Sequence, residues 1–587
     1  MDISLDIREQ ISDIVKRIAR ESEAFGPDFE PDVRLADPRH GDFQVNGVLP
    51  WAKEKKTNPR QLGMELLEKL NTLDASERPW QSVEIAGPGF LNFVVAKDYL
   101  RAWLSEYRNV KAIADAAKTT LDGKKIVVDF SSPNTAKQMH VGHIRSTVIG
   151  DSICRILEYC GAEVIRDNHI GDWGTQFGIL IMIIKRKGID LKHLEGDKIE
   201  QLEELYREGS ELTNNDPTAL DEARSELVLL QNGDAANFEI WEQIVQVSYQ
   251  EFQKIYDRLD VRFDVVLGES FYRDKTERIY SELQEDGIAE ESKGALVVFH
   301  PEHPRFATQP FIVRKSDGAS NYATTDLATA LHRCEEFRAD EVINITDSRQ
   351  KDHFEQLELT VNKWFSKRGL PLPRMRHVTF GTILGKDGKA IKTRSGKSVK
   401  LRELLDEAVE RARVITREKN PDLVGEELEK TAETIGIAAV RYADLSQNRS
   451  SDYQFDWDKM LAFDGNTAPY LLYVAARING IFRKLGDVSE IDLTNFAELE
   501  TSEELDLSKK LTQFPIMVKQ TLEDLRPHML CSYLYELCGS FNSFYHSNTV
   551  INEDLSVQNK RLMLCNVTLQ VLRSGLKLVG IQALERM

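Results

Sequence analysis

Two histidines three residues apart, His140 and His143, flank Gly142 in the run His-Val-Gly-His, with Lys137 just upstream. Imidazoles so spaced can both offer N–H donors to one anion, and a lysine adds formal positive charge. Gly142 carries no side chain, so a flat base or ribose could lie against its backbone. Those donors must be held by the elements around them. The apolar run Ile126 to Phe130 reads as a buried strand with Asp129 near its end, and Ser131, Ser132, Pro133 and Asn134 break it as a turn. Beyond the histidines, Val148, Ile149, Ile153, Ile156 and Leu157 recur at helical spacing. The histidines therefore stand where a strand's carboxyl end meets a helix N-terminus, the place where open α/β sheets bind phosphates. A bare HxGH tetrapeptide occurs by chance; the strand, the helix and the lysine around it give this one meaning.

The chain has 587 residues, which suits about four domains of roughly 150 residues. Its 41% hydrophobic and 29% charged residues suit a globular protein, and no apolar run approaches the ~20 residues of a membrane span. The first residues, MDISLDIREQ, carry acids and no apolar core, unlike a secretory or transit signal. Six cysteines form no CxxC pair, so neither a zinc site nor a disulfide framework is expected, and a reducing cytoplasm fits. The net charge of −19 argues against indiscriminate nucleic-acid binding, but charge is segregated. Lys363 to Arg402 holds twelve Lys/Arg against one acid, Asp387, whereas Glu195 to Glu226 holds eleven Asp/Glu against three Lys/Arg. A basic track of that kind can grip a polyanion; the acidic stretch reads as a solvated face.

In chain order, an opening helix buries Ile7, Ile11, Ile14, Val15 and Ile18, and GPGFLNFVV (Gly87 to Val95) turns into a strand. Ala162 to Arg166 reads as a second strand of the nucleotide fold, followed by GDWGTQFG, Gly171 to Gly178. Its glycines fit either a close backbone approach near the site or a plain turn. A charged, largely helical insertion runs to about Ala295 and ends in LGESFY, Leu267 to Tyr272. Ala295 to Phe299, Glu341 to Thr346 and Arg376 to Phe380 read as strands of the second half of the sheet. Between the first two, Tyr322 and Asp326 share a helix face, Asp326 being either a ligand or a first-turn helper; Gln350 follows the next strand. The chain then becomes helical to its end, with an acidic loop expected around Glu498 to Asp506.

The run Ser131 to Asp151, SSPNTAKQMHVGHIRSTVIGD, resembles the class I aminoacyl-tRNA synthetase signature in its arginyl-tRNA synthetase form. The GDWGTQFG octet, the YLLYVAAR run and the ending GIQALERM extend the resemblance along nearly the whole chain. The second class I signature, ordinarily KMSKS, departs: Lys392, Thr393, Arg394 and Ser395 occupy its place, within a Gly/Lys-rich loop that includes Lys389. In arginyl enzymes lacking the usual lysine, one just before HxGH is thought to substitute, and Lys137 is so placed.

The resemblance implies an α/β fold: a class I Rossmann-like parallel sheet with a helical insertion, an N-terminal α+β domain and a C-terminal all-helical anticodon-binding bundle. The expected divisions are 1–115 (N-terminal domain, tRNA D-loop), 116–183 and 296–401 (catalytic halves), 184–295 (insertion), 402–464 (junction) and 465–587 (anticodon bundle). It implies ATP-dependent joining of L-arginine to tRNA(Arg) through an arginyl-adenylate, with magnesium travelling on ATP, no resident metal or zinc, no membrane, and a monomer. By resemblance, Lys137, His140 and His143 are catalytic, and Gly142, Lys389, Lys392 and Arg394 join them around ATP. Asp129, Ser132, Asn134, His143 and Gln350 surround the α-amino and carboxylate end of arginine. Glu269, Tyr322 and Asp326 meet its guanidinium; Phe90, Asn92, Tyr470, Tyr473 and Arg477 touch tRNA. The rival readings are another HxGH nucleotidyltransferase, which would be far shorter, and a non-catalytic tRNA-binding relative, which would have lost its phosphate donors.

Overall fold

The computed structural model describes residues 3–316, 321–385, 387–389, 391, 399–486 and 497–587. The chain forms two compact units. One joins Met1–Thr120 with Phe463–Lys577 and Gln582–Met587, and the other holds Leu121–Ala462 with Leu578–Ile581. None of the described helices is long and apolar enough to cross a membrane, and all six cysteines are buried thiols.

The second unit is built on a four-stranded parallel sheet in the order Arg374–Phe380, Glu341–Asp347, Lys125–Asp129, Glu163–Asp167. Its two central strands are mainly apolar, Ile126, Val127 and Val128 beside Val342, Ile343 and Ile345 with buried Asn344 between the last two, as expected of strands covered on both faces. From Lys125–Asp129 the chain runs through the helix Gly142–Tyr159 to Glu163–Asp167 on one side, and later adds Glu341–Asp347 on the other. The winding reverses between the central strands, so a crevice opens beyond their carboxyl ends.

The helix Gly142–Tyr159 is buried along most of its length. A Cβ on Gly150 would lie 2.2 Å from the Phe130 ring, so only glycine lets the helix pack this close. Two buried ion pairs tie it to the helix Gly425–Leu445: Arg145 to Asp444 at 3.1 Å and Asp151 to Arg441 at 2.5 Å. Removing one partner of such a pair costs about 3–5 kcal/mol, because the other charge is left stranded. The helix that carries the signature is thereby fixed on the sheet. The insertion contributes the helices Lys198–Asn215, Pro217–Gln231 and Ala235–Leu259, each started by an aspartate cap (Asp197, Asp216, Asp234). They bury Leu202, Ala219, Leu230 and Ile244 against Phe177, Leu180 and Ile184.

Two expectations are corrected. Ala295–Val298 does not join the parallel sheet; it pairs antiparallel with Glu290–Ser292 and Phe311–Arg314 in a separate sheet. The cause is local: Lys293 and Gly294 both take positive φ (51° and 81°), the two-residue hairpin turn that returns the chain on itself. The acidic stretch around Glu498 to Asp506 is not simply a loop, because the helix Ser502–Thr512 begins within it. Thr501 and Glu504 form a reciprocal cap, and buried Glu504 pairs with Lys560 at 2.9 Å and Arg561 at 3.2 Å.

In the first unit an antiparallel sheet runs in the order Val33–Leu35, Phe43–Val45, Phe90–Val95, Trp80–Ala86. The helix Ile7–Ala19 buries Ile7, Ile11, Val15 and Ile18 beside it. The C-terminal segment is helical and belongs to the same unit, with Lys509 on Asp42 at 2.9 Å and Lys519 on Glu9 at 2.5 Å.

Candidate active site

The loop after the Lys125–Asp129 strand takes backbone that non-glycine residues seldom adopt: Ser131, Ser132 and Ala136 have φ of 71°, 47° and 60°. Each such residue costs about 1–3 kcal/mol and persists only where its surroundings over-determine it. Here Ser131 N–H donates to Ser146 Oγ at 2.9 Å, Ser132 N–H to Asn168 Oδ1 at 3.0 Å, and Ala136 N–H to Ser248 Oγ at 2.9 Å. Three different elements hold the three strained residues. The GDWGTQFG loop closes on the same segment. Thr135 N–H donates to Gly171 O at 3.0 Å and Gly171 N–H to Pro133 O at 3.1 Å. A Cβ on Gly171 would meet Asn134 Oδ1 at 2.0 Å, so this glycine serves a close approach.

His140 and His143 sit at the start of the Gly142–Tyr159 helix with ring centroids 4.0 Å apart. His140 N–H donates to His143 Nδ1 at 3.0 Å, and Gly142 N–H donates to His140 Nδ1 at 3.1 Å. With both Nδ1 atoms accepting backbone protons, each ring's own proton sits on Nε2; His143 Nδ1 also lies 3.3 Å from His140 O, a contact that would hold the proton on Nδ1 instead. Burial and then the other charges nearby push both ring pKa values below the ordinary histidine range: Lys137 acts on His140, and His140 on His143. The pair is therefore neutral at pH 7 and presents two Nε2–H donors. A Cβ on Gly142 would lie 2.8 Å from His140 Cε1, so the glycine also makes room for the ring.

A cavity of about 690 Å³ opens in front of these donors, lined by Asn134, Lys137, His140 and His143 on one side and by the Lys198–Asn215 helix on the other. Lys137 Nζ lies 5.5 Å from the centroid of the Tyr206 ring. Lys400, also lining the cavity, pairs with Glu200 at 2.6 Å. The signature segment is laced to the end of the second-signature loop: Val141 N–H donates to Val399 O and Leu401 N–H to Met139 O, both at 2.9 Å.

Carboxylates gather at the neighbouring strand ends. Asp172 accepts Ser270 N–H at 2.8 Å and Ser270 Oγ–H at 2.7 Å, which fixes the backbone beside Glu269. Burial, Asp172 and Asp326 together push the Glu269 carboxyl up to about 8, and among the described residues no cation acts on it in the opposite sense. Asp326 meets His353 Nε2 at 2.5 Å. Asp129 accepts the Ser132 hydroxyl on Oδ1 at 3.0 Å and the Arg333 guanidinium on Oδ2 at 2.6 Å.

Three family models match successive parts of the chain. They are the arginyl tRNA synthetase N-terminal domain (residues 5–95), the catalytic domain of "tRNA synthetases class I (R)" (109–457) and the DALR anticodon binding domain (471–587). The arginine–tRNA ligase of Erwinia tasmaniensis is 42% identical over 95% of this chain and 96% of its own. This chain belongs to the arginyl-tRNA synthetase family. That of Crocosphaera subtropica is 43% identical over 96% of this chain and 97% of its own. The arginyl-tRNA synthetase structure from Plasmodium falciparum superposes with a TM-score of 0.82 at 28% identity, covering 100% of both chains. The class I parallel-sheet fold with its N-terminal domain and helical DALR domain is thereby that of the family.

Against that family pattern, the structure gathers Asn134, Lys137, His140 and His143 on one cavity and sets Glu269 within the field of Asp326. It leaves other expected site residues apart. Tyr322, 73% exposed, opens the helix Tyr322–Glu335 without being enclosed, and Gln350 is exposed at the start of Lys351–Arg368. Lys389 stands exposed in the turn closed by Asp387 and does not line the cavity, while Lys392 and Arg394 lie outside the described residues.

In the first unit Phe90 is half-buried, and Asn92 is buried with its carbonyl accepting Gln44 Nε2–H at 2.7 Å. Arg477 stacks over Tyr473, itself 41% exposed, at 4.8 Å. Asn542 links Arg477 (2.7 Å) to the Tyr470 hydroxyl (2.9 Å). Residue reading missed Asp172, Arg333 and His353. Arg333 had a signal, since it falls on the helical face of Tyr322 and Asp326; Asp172 had none beyond lying in the GDWGTQFG loop, and His353 none beyond following Gln350 in the first turn of Lys351–Arg368.

Proposed function

We infer that this chain joins L-arginine to tRNA(Arg) at the expense of ATP, through an arginyl-adenylate. The arginine carboxylate attacks the α-phosphorus and pyrophosphate leaves; the terminal 2′-hydroxyl of the tRNA then attacks the activated carbonyl and AMP leaves. ATP comes with magnesium as its own counter-ion. The tasks left to the protein are to position the reactants and to stabilise charge developing on the phosphate. We assign the neutral Nε2–H donors of His140 and His143, the helix start at Gly142 and the Lys137 ammonium to that charge. Since both imidazoles are neutral, formal positive charge beside them comes from Lys137 and from Lys400, and Glu200 already pairs Lys400, which suits Lys137 to stand in for the missing signature lysine. Lys389, Lys392 and Arg394 belong in this reading to the loop that follows the pyrophosphate.

The observation that carries the amino-acid assignment is Glu269. A carboxyl raised to about 8 by burial and by two other carboxylates is a site short of one cation. A guanidinium supplies that charge in planar geometry and with several donors. In this reading Asp326 joins Glu269 at the guanidinium, and Asp129, Ser132, Asn134 and His143 take the α-amino and carboxylate end; Tyr322 and Gln350, exposed in this structure, would have to turn onto the ligand to join them. The aromatic and basic surface at Tyr470, Tyr473 and Arg477, with Phe90 and Asn92, takes the tRNA; the divisions of the chain follow the domain limits given above. We place the protein in the cytoplasm as a monomer. Pyrophosphate exchange measured with each amino acid in turn, with and without tRNA, tests this. Exchange supported by arginine alone is expected; exchange with another amino acid, or none under any condition, would reject it.

A further inference from the structure

The helix Tyr322–Glu335 carries a second charged residue on the face of Asp326. Arg333 follows Asp326 by two turns and is 3% exposed. Its Nη2 donates to Asp129 Oδ2 at 2.6 Å, its Nε and Nη2 to Asp167 Oδ2 at 3.0 and 2.7 Å, and its Nη1 to Asn344 Oδ1 at 3.0 Å. These acceptors form one row across three parallel strands, since Asn344 is in register with Asp129 and Asp129 with Asp167. One guanidinium thus spans the carboxyl ends of the strands at the point where the winding reverses and the crevice opens.

The charges in this row do not cancel. Two carboxylates face one guanidinium, so with both ionised the row carries one net negative charge; burial raises the Asp167 carboxyl, and Arg333 and then His169 act against that rise. Asp167 is closed to solvent, whereas the Asp129 side chain is 15% exposed and, among the described residues, its Oδ1 meets the Ser132 hydroxyl alone. Each carboxylate oxygen accepts more than one hydrogen bond, so Asp129 retains capacity towards the crevice. A buried surplus charge is costly unless something pairs with it. The α-ammonium of an amino acid has the matching sign and size.

We propose that Arg333 is a positioning residue for the amino-acid substrate. It neutralises Asp167, orients Asp129, and so displays a single negative charge to the α-ammonium. This rests on the reading that Asp129 lies at the α-amino end of arginine. The competing idea is that Arg333 only staples the strands together.

The test uses the full-length enzyme with three variants, Arg333→Lys, Arg333→Gln and the double variant Asp167→Asn/Arg333→Gln, which removes one charge of each sign and keeps the surplus. Arginine and ATP KM values are read by tRNA-supported pyrophosphate exchange. The 2-hydroxy analogue of arginine is titrated as a competitive inhibitor to measure the preference for ammonium over hydroxyl. Arg333→Lys keeps the charge but loses the planar fork, so arginine KM should rise at least about tenfold with ATP KM little changed. Its ammonium preference should fall in step. The double variant should regain part of the preference relative to Arg333→Gln alone. If Arg333→Lys lowers kcat in proportion to folded protein while both KM values and the ammonium preference stay put, Arg333 is a staple and the proposal fails. If the unmodified enzyme shows no preference for the ammonium, the placement of Asp129 fails instead.

Discussion

Replacing Glu269 by glutamine should make the apoenzyme more stable and the enzyme worse. In an unfolded chain this carboxyl ionises near 4.5, whereas in the folded unit it holds its proton to about 8. At pH 7 folding must therefore protonate a group that water would leave ionised, at a cost of about 1.4 kcal/mol per pH unit above the unfolded value, or about 3 kcal/mol. Between pH 4.5 and 8 the folded state binds more protons than the unfolded one, so this contribution to stability falls as pH rises and levels off above 8. Glutamine keeps the shape without the titration. Thermal melting of Glu269→Gln should exceed that of the unmodified enzyme at pH 7.5, and the gap should close towards pH 5. Arginine offsets the same cost in the unmodified protein by bringing a cation, and its binding should expel the proton. Calorimetry in buffers of different ionisation enthalpy should show about 0.9 proton released per arginine at pH 7 and about 0.2 at pH 8.5, the protonated fractions of a group with that pKa. Arginine KM should rise for Glu269→Gln, with ATP KM little changed. Parallel melting curves across pH, or proton release that persists in Glu269→Gln, would refute the assignment of this carboxyl to the guanidinium.

Lys137→Ala should slow adenylate formation about 10²- to 10³-fold, the scale for losing one preorganised electrostatic donor, with smaller effects on substrate KM; a near-normal single-turnover rate would return the role to the second-signature loop. Asp326→Asn should raise arginine KM roughly 30-fold, from about 2 kcal/mol lost when one partner of a desolvated charge pair is removed, and should leave ATP KM little changed. A collapse of ATP affinity instead would put Asp326 in the nucleotide site. Exchange should require tRNA, because docking of the RNA biases the catalytic loops towards closure; robust exchange with arginine and ATP alone would defeat that expectation. Affinity for tRNA should also fall with salt, since Lys363 to Arg402 would displace counterions from the RNA.

The strand, turn and helix around His140 and His143 were legible because each is specified by neighbours in the chain: an apolar run, turn residues, then a 3.6-residue repeat. Gly171 could be suspected of a close approach, but only the fold names its partner, Asn134. Ala295–Val298 was read as a strand but given to the wrong sheet. Strand character is local, whereas sheet membership was settled by the Lys293–Gly294 turn and by which edge was within reach.

The sequence by itself determined the corner proposed to bind phosphate, because its chemistry and its supporting elements are contiguous. The pocket proposed for the amino acid was decided by tertiary structure. Asp129, Asp167, Glu269, Asp326 and Arg333 come from segments scattered over some two hundred residues, and what each does depends on the charges it meets after folding. Burial in a low-dielectric crevice turns an ordinary glutamate into a group that holds its proton at neutral pH, and no local pattern encodes that burial.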